Sequence, residues 1–131
     1  MIATLGKGRG FIFIYVASVT FKTEILAFPN LIVCMAVNKD GTKVAATDEM
    51  GITIKVFSIY SSQCLVQLRR GLKIALISSL SFDSNSENLA VANANYTIHI
   101  FNIQNQSGQI SENNIKGIVE KGFNLLSVII I

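Results

Sequence analysis

Apolar residues along this chain fall in short runs of five to seven, rich in Val, Ile, Phe and Thr and separated by clusters of Asn, Asp, Ser and Gly. That is the pattern of β-strands joined by tight turns. The runs predict strands at Phe11–Val16, Leu31–Val37, Lys43–Thr47, Thr53–Ile59, Cys64–Leu68, Ile77–Phe82, Asn88–Ala92 and Thr97–Ile103. Between them lie the turn-forming stretches Asn38-Lys39-Asp40-Gly41, Asp48-Glu49-Met50-Gly51, Ser61-Ser62-Gln63 and Asp83-Ser84-Asn85-Ser86-Glu87. No segment sustains a helical period, and Pro29 falls between predicted strands. The class expected is all-β with short connections.

The strands repeat. Met35, Val37 and Val44 fall on Leu80, Phe82 and Leu89 at an offset of 45, and Thr53, Ile54, Phe57 and Ile59 fall on Thr97, Ile98, Phe101 and Ile103 at 44. The one-residue slip lies in the turn around Met50. A four-strand unit recurring every ~40–45 residues has the period of a β-propeller blade, and Phe11–Val16 then reads as the third strand of an earlier, incomplete blade. The chain holds about two and a half such units, whereas closed propellers use about 4–8. The expected fold is therefore a WD40-like β-propeller fragment. It is part of a longer propeller, or one of several copies forming a ring, or a chain whose open sheet edges aggregate.

Composition narrows the function. Half of the 131 residues are hydrophobic, 15% are charged and the mean hydropathy is +0.50, which excludes a disordered chain. The longest apolar run, 11–17, is far short of the roughly 20 residues of a spanning helix. Lys7 and Arg9 before that run sketch a signal peptide, but its aromatic and β-branched content fits a strand better. Cys34 and Cys64 stand apart from any CxxC or Cys/His cluster, so reduced thiols in a cytoplasmic protein are expected, with no metal site and no cofactor. With one histidine no Ser/His/Asp set can be placed, no paired carboxylates suggest acid/base work, and Gly6-Lys7-Gly8-Arg9-Gly10 lacks the ending of a phosphate loop. The chain does not read as an enzyme. Nucleic acid would require a denser basic stripe. A net charge of +3 and a pI near 9.0 suit an anionic partner.

The candidate for that partner is Gln67-Leu68-Arg69-Arg70-Gly71, at the end of a predicted strand. Adjacent residues in extended backbone point to opposite faces, so Arg69 and Arg70 would enter two different pockets. Arginine's planar fork donates two hydrogen bonds to one phosphate and keeps its charge. The plainer reading of the pair is a set of edge salt bridges or solvated edge charges.

At these residues the chain resembles a family. Cys34-Met35-Ala36-Val37-Asn38-Lys39-Asp40-Gly41-Thr42, then Gly51-Ile52-Thr53-Ile54-Lys55-Val56-Phe57, then Leu68-Arg69-Arg70-Gly71 and Thr97-Ile98-His99-Ile100-Phe101 are similar to the PROPPINs, seven-bladed propellers that bind phosphoinositides. Members of WIPI type, with Leu before Arg-Arg-Gly, are the nearest in kind. The likeness covers residues 6–103. It implies that 1–103 hold the end of blade four and blades five and six, and that 104–131 are a polar loop and divergent tail.

The resemblance also implies roles. Arg69 would serve a pocket with groups of blade five, and Arg70 a second pocket with Thr97 and His99 of blade six; Gly71 completes the motif. The serine the family carries before this threonine is replaced within Ala92-Asn93-Ala94. In the first pocket Lys55 stands where arginine is usual, Ile52 replaces threonine and Asp48 replaces serine. Thr53 is set aside as facing the other way, so weak or absent binding is expected there. Gln104-Asn105-Gln106-Ser107-Gly108-Gln109 is polar where family members carry a bilayer-reaching loop. The function implied is a non-enzymatic adaptor binding phosphatidylinositol 3-phosphate and 3,5-bisphosphate, cytoplasmic and peripheral on autophagic or endosomal membranes, with autophagy proteins as partners. The alternatives are a protein-interaction scaffold fragment without lipid binding and a nonfunctional truncation.

Overall fold

A computed structural model describes residues 1–104 and 109–111. The strands are β1 (Ile2–Leu5), β2 (Phe11–Val16), β3 (Phe21–Leu26), β4 (Ile32–Val37), β5 (Lys43–Asp48), β6 (Thr53–Ser58), β7 (Cys64–Arg69), β8 (Ile77–Phe82), β9 (Asn88–Asn93), β10 (Ile98–Asn102) and β11 (Gln109–Ser111). They form three antiparallel sheets, β1-β2-β3, β4-β5-β6-β7 and β8-β9-β10-β11. Ala17–Val19 make a single 3-10 turn. Among the described residues no helix is long and apolar enough to cross a membrane.

All eight predicted strands are present, and β2 is the middle strand of the three-stranded first sheet. Three further strands escaped the pattern. Both β1 and β3 expose about every second residue or more, so neither presents a continuous apolar run. The three residues of β11 pair with β10 through Phe101↔Gln109, Ile100↔Ile110 and His99↔Ser111, inside a stretch that reads as polar loop. The rest of that segment, 105–108 and 112–131, lies outside the described residues.

The repeat seen in sequence extends to backbone irregularities. Register shifts fall between Ile32 and Cys34 in the second sheet and between Ile77 and Ser79 in the third, 45 residues apart. Turn caps follow the same spacing. Asn38 Oδ1 accepts from the Thr42 and Lys43 N–H groups, and Asp83 Oδ1 from those of Glu87 and Asn88. Asp48 and Asn93 cap the next turns, through Met50 and Gly51 in one and Asn95 and Thr97 in the other. Asp83 is 5% exposed and also accepts from Asn88 Nδ2 at 2.7 Å. Asp83→Ala orphans three donors and is expected to cost about 2–3 kcal/mol, read as a lower urea midpoint at unchanged slope.

Alternation divides the second sheet between two cores. Val44, Ala46 and Phe57 pack with Ile12, Ile14 and Val16 of the first sheet, while Ala45, Ile54, Val56 and Leu68 pack with Leu80, Leu89, Val91 and Phe101 of the third. A sheet covered on both faces needs apolar residues at successive positions, which explains the unbroken burial from Val44 to Asp48. The seam between the second and third sheets also requires Gly51. Its φ is +64°, and a Cβ there would stand 1.8 Å from the Ala75 carbonyl oxygen.

Candidate functional site

The two arginines close β7. Arg69 is the cross-strand partner of Thr53, and Gln67 that of Lys55, so these four side chains share one face of the second sheet. Leu68, between them, is buried in the opposite core. Arg69 is exposed and its Nε donates to Gly71 O at 3.4 Å. Arg70 follows the strand; its N–H donates to Ile52 O at 2.8 Å and its guanidinium to the carbonyls of Gly51 and Lys73. Gly71 borders open space, for a Cβ there would meet nothing within 4 Å.

Arg70 faces the third sheet. His99, on β10 opposite Val91, stacks on Phe101 with ring centroids 6.4 Å apart. Burial pushes the imidazole below its ordinary pKa, and the positive charge of Arg70 pushes it further in the same direction. Thr97 stands two residues earlier, its N–H held by Asn93 Oδ1 at 3.2 Å. Arg70 and His99 therefore border one seam, with Thr97 two positions before His99 in the chain, while Arg69 lies on the face of the other.

On that other face is a cavity of about 280 Å3 lined by Phe28, Asp48, Met50, Ile52, Thr53, Lys55 and Gln67. It brings together Lys55, Ile52 and Asp48, the three departures noted in the sequence. Thr53 corrects the expectation that it faces away: it has the same parity as Lys55 on β6, and both line the cavity. Lys55 Nζ donates to Ala27 O at 2.9 Å and sits 4.8 Å from the Phe28 ring centroid. The Asp48 carboxylate accepts from Asn30 Nδ2 at 3.0 Å and caps its own turn. Lysine and aspartate here hold the protein together. Gln67 was missed, although its place two residues before Arg69 puts it on the same face by strand period. Among the described residues no cluster of His, Cys, Asp and Glu could hold a metal ion.

Known proteins resemble this chain in sequence and fold. The PROPPIN family model matches residues 5–123, further than the motifs alone reach. Autophagy-related protein 18 of Phaeosphaeria nodorum is 49% identical over 70 residues, 53% of this chain and 17% of that protein. Its namesake in Schizosaccharomyces pombe is 40% identical over 82 residues, 63% of this chain and 22% of that one. The chain thus spans about a fifth of the length of these relatives. Among solved structures, Hsv2 of Kluyveromyces marxianus superposes with a TM-score of 0.69 at 28% identity, covering 73% of this chain and 31% of Hsv2. A Kluyveromyces lactis Hsv2 with loop 6CD replaced by a Gly-Ser linker gives 0.70 at 22% identity, covering 88% and 42%.

Proposed function

Since the chain belongs to the PROPPIN family, we propose that it is the phosphoinositide-binding portion of a non-enzymatic adaptor acting peripherally at autophagic or endosomal membranes. On this reading the first sheet ends blade four and the second and third sheets are blades five and six, with β11 supplying the outer strand of blade six. The ligands are phosphatidylinositol 3-phosphate and 3,5-bisphosphate.

The observation that carries the reading is the Arg70 guanidinium, braced by the Gly51 and Lys73 carbonyls and close enough to His99 of the next sheet for its charge to be felt there. Arginine has five N–H donors. Two of Arg70's hold the Gly51 and Lys73 carbonyls, which fixes the fork and leaves three for an anion. Hydrogen bonds to a charged group contribute about 1.5–3 kcal/mol, and each cation near an anionic leaflet adds about 1 kcal/mol. The other cavity is the weaker site, because its lysine is engaged and its carboxylate repels phosphate. A protein-interaction scaffold without lipid binding draws its support from that second fact. Flotation separates the two readings. The chain should rise with phosphatidylcholine vesicles containing phosphatidylinositol 3-phosphate and stay behind without it; equal recovery in both refutes lipid recognition.

Protonation gives a second check. With its pKa depressed, His99 is neutral in the free protein at pH 7, and an anion beside it favours the imidazolium, so binding takes up a proton. Acidification below pH 7 therefore tightens the His99 contribution, even as a phosphomonoester with a second pKa of about 6 loses charge. His99→Gln cancels the phosphate's own titration from the comparison. The affinity ratio of parent to variant is expected to grow as pH falls, in titrations with soluble inositol 1,3-bisphosphate; a constant ratio contradicts the placement. The same depressed pKa means that stability linked to His99 is intact above its unfolded pKa and declines as pH falls through it.

A further inference from the structure

The segment 70–76, between β7 and β8, carries an unusual surface. Leu72 is 81% exposed, Ile74 63% and Leu76 60%. The exposure is imposed by the backbone. Arg70 N–H binds Ile52 O, Ala75 N–H binds Met50 O at 3.1 Å, Leu76 O accepts from Ala94 N–H at 2.9 Å, and the Arg70 guanidinium holds Lys73 O. A segment tied at both ends and in its middle presents these side chains in a fixed position.

Incomplete sheet closure does not account for it. Ile2, Leu5 and Leu26 are exposed on the three-stranded first sheet, but segment 70–76 bridges two four-stranded sheets that are both in place. The corresponding bridge from the first sheet to the second, 27–31, is two residues shorter and buries Ala27 and Phe28 to 3% and 4% exposure. The first joint thus buries Ala27 and Phe28 and leaves one large apolar side chain, Leu31, exposed at 46%, whereas the second leaves all three of its large apolar side chains at 60% or more.

Charge says what covers it. From Met50 to Phe82 the chain has no acidic residue, and its four charges, Lys55, Arg69, Arg70 and Lys73, are all positive. The acids just before that stretch are engaged: Glu49 by Arg9 at 2.8 Å and Asp48 by Asn30. Apolar side chains interleaved with cations and free of carboxylates match the interface of an anionic bilayer, where heads are negative and the acyl boundary is apolar. We propose that Leu72, Ile74 and Leu76 enter the acyl boundary of an anionic phospholipid membrane, anchoring it beside Arg69 and Arg70. The anchor rests on the phosphoinositide reading above and adds to it an apolar contact that is independent of headgroup recognition.

The test separates the two. Leu72→Ser/Ile74→Ser alters only exposed side chains, so the melting curve and the affinity for soluble inositol 1,3-bisphosphate are expected to stay as in the parent chain. Partitioning onto vesicles of phosphatidylcholine, phosphatidylserine and phosphatidylinositol 3-phosphate should fall about tenfold, equivalent to about 1.4 kcal/mol. The chain contains no tryptophan, so the indole introduced by Ile74→Trp reports alone; its emission should shift to the blue on those vesicles and be quenched by brominated acyl chains. Headgroup binding with undiminished flotation of the double variant, or an unshifted indole on floated protein, overturns the anchor alone. Absence of headgroup binding by the parent chain overturns the phosphoinositide reading and the anchor with it.

Discussion

Arg70→Ala is expected to weaken binding of vesicles containing phosphatidylinositol 3-phosphate by about 10–100-fold, the value of one to two charge-assisted hydrogen bonds, whereas Arg69→Ala should change it less than about threefold. The asymmetry follows from where each guanidinium is held. Arg70 is braced by the Gly51 and Lys73 carbonyls at the seam that also holds His99. Arg69 is exposed, with one long contact to Gly71 O, on the face whose cavity contains Asp48. Arg70→Lys keeps the charge and loses the fork, and should recover only part of the binding. Because Arg70 also ties two backbone segments, each variant is compared at matched thermal stability. Equal defects for Arg69→Ala and Arg70→Ala contradict the ranking.

Gly51→Ala is expected to destabilise the chain by about 3 kcal/mol or more, from left-handed backbone strain and overpacking together. The clash is with the Ala75 carbonyl, a main-chain group that cannot swing aside, and Ala75 is itself tied to Met50 O. Gly71→Ala is the control. It adds the same methyl where nothing lies within 4 Å and should change stability by no more than about 0.5 kcal/mol. Urea midpoints for the two variants check the pair, and similar losses would show that the seam does not depend on Gly51. Relaxing this seam also moves 50–52 against 70–75, so Gly51→Ala should reduce lipid binding without touching a ligand.

Much of this was legible in the chain, and the reasons are local. Strand alternation and the 45-residue repeat located strands buried on both faces, such as β5 and β9, and strands such as β2 and β7 whose buried positions recur every second residue. They missed β1 and β3, whose exposed positions leave no such pattern. The parting of Arg69 from Arg70 followed from the two-residue period alone. The state of Lys55 did not, because the groups that hold it, Ala27 O and the Phe28 ring, come from a linker 28 and 27 residues away that has no strand pattern of its own. Thr53 was misplaced by comparison with its neighbour Ile52 instead of with Lys55, two positions on. The apolar side chains of 70–76 were visible as letters, but their exposure depends on backbone ties to Met50, Ile52 and Ala94 that no periodicity records.

The second sheet is packed on both faces, between cores contributed by its two neighbours. In a stacked architecture each unit is stabilised by its own strength and by the joints it shares with adjacent units. The middle unit has two such joints, so its amides are released to solvent only by openings that also dismantle a neighbour. The arginine pair hangs from the last strand of that unit. Local fraying in the outer strands of the first or third sheet thus leaves β7 and its two arginines in place, and the proposed ligand would meet a sheet held from both sides.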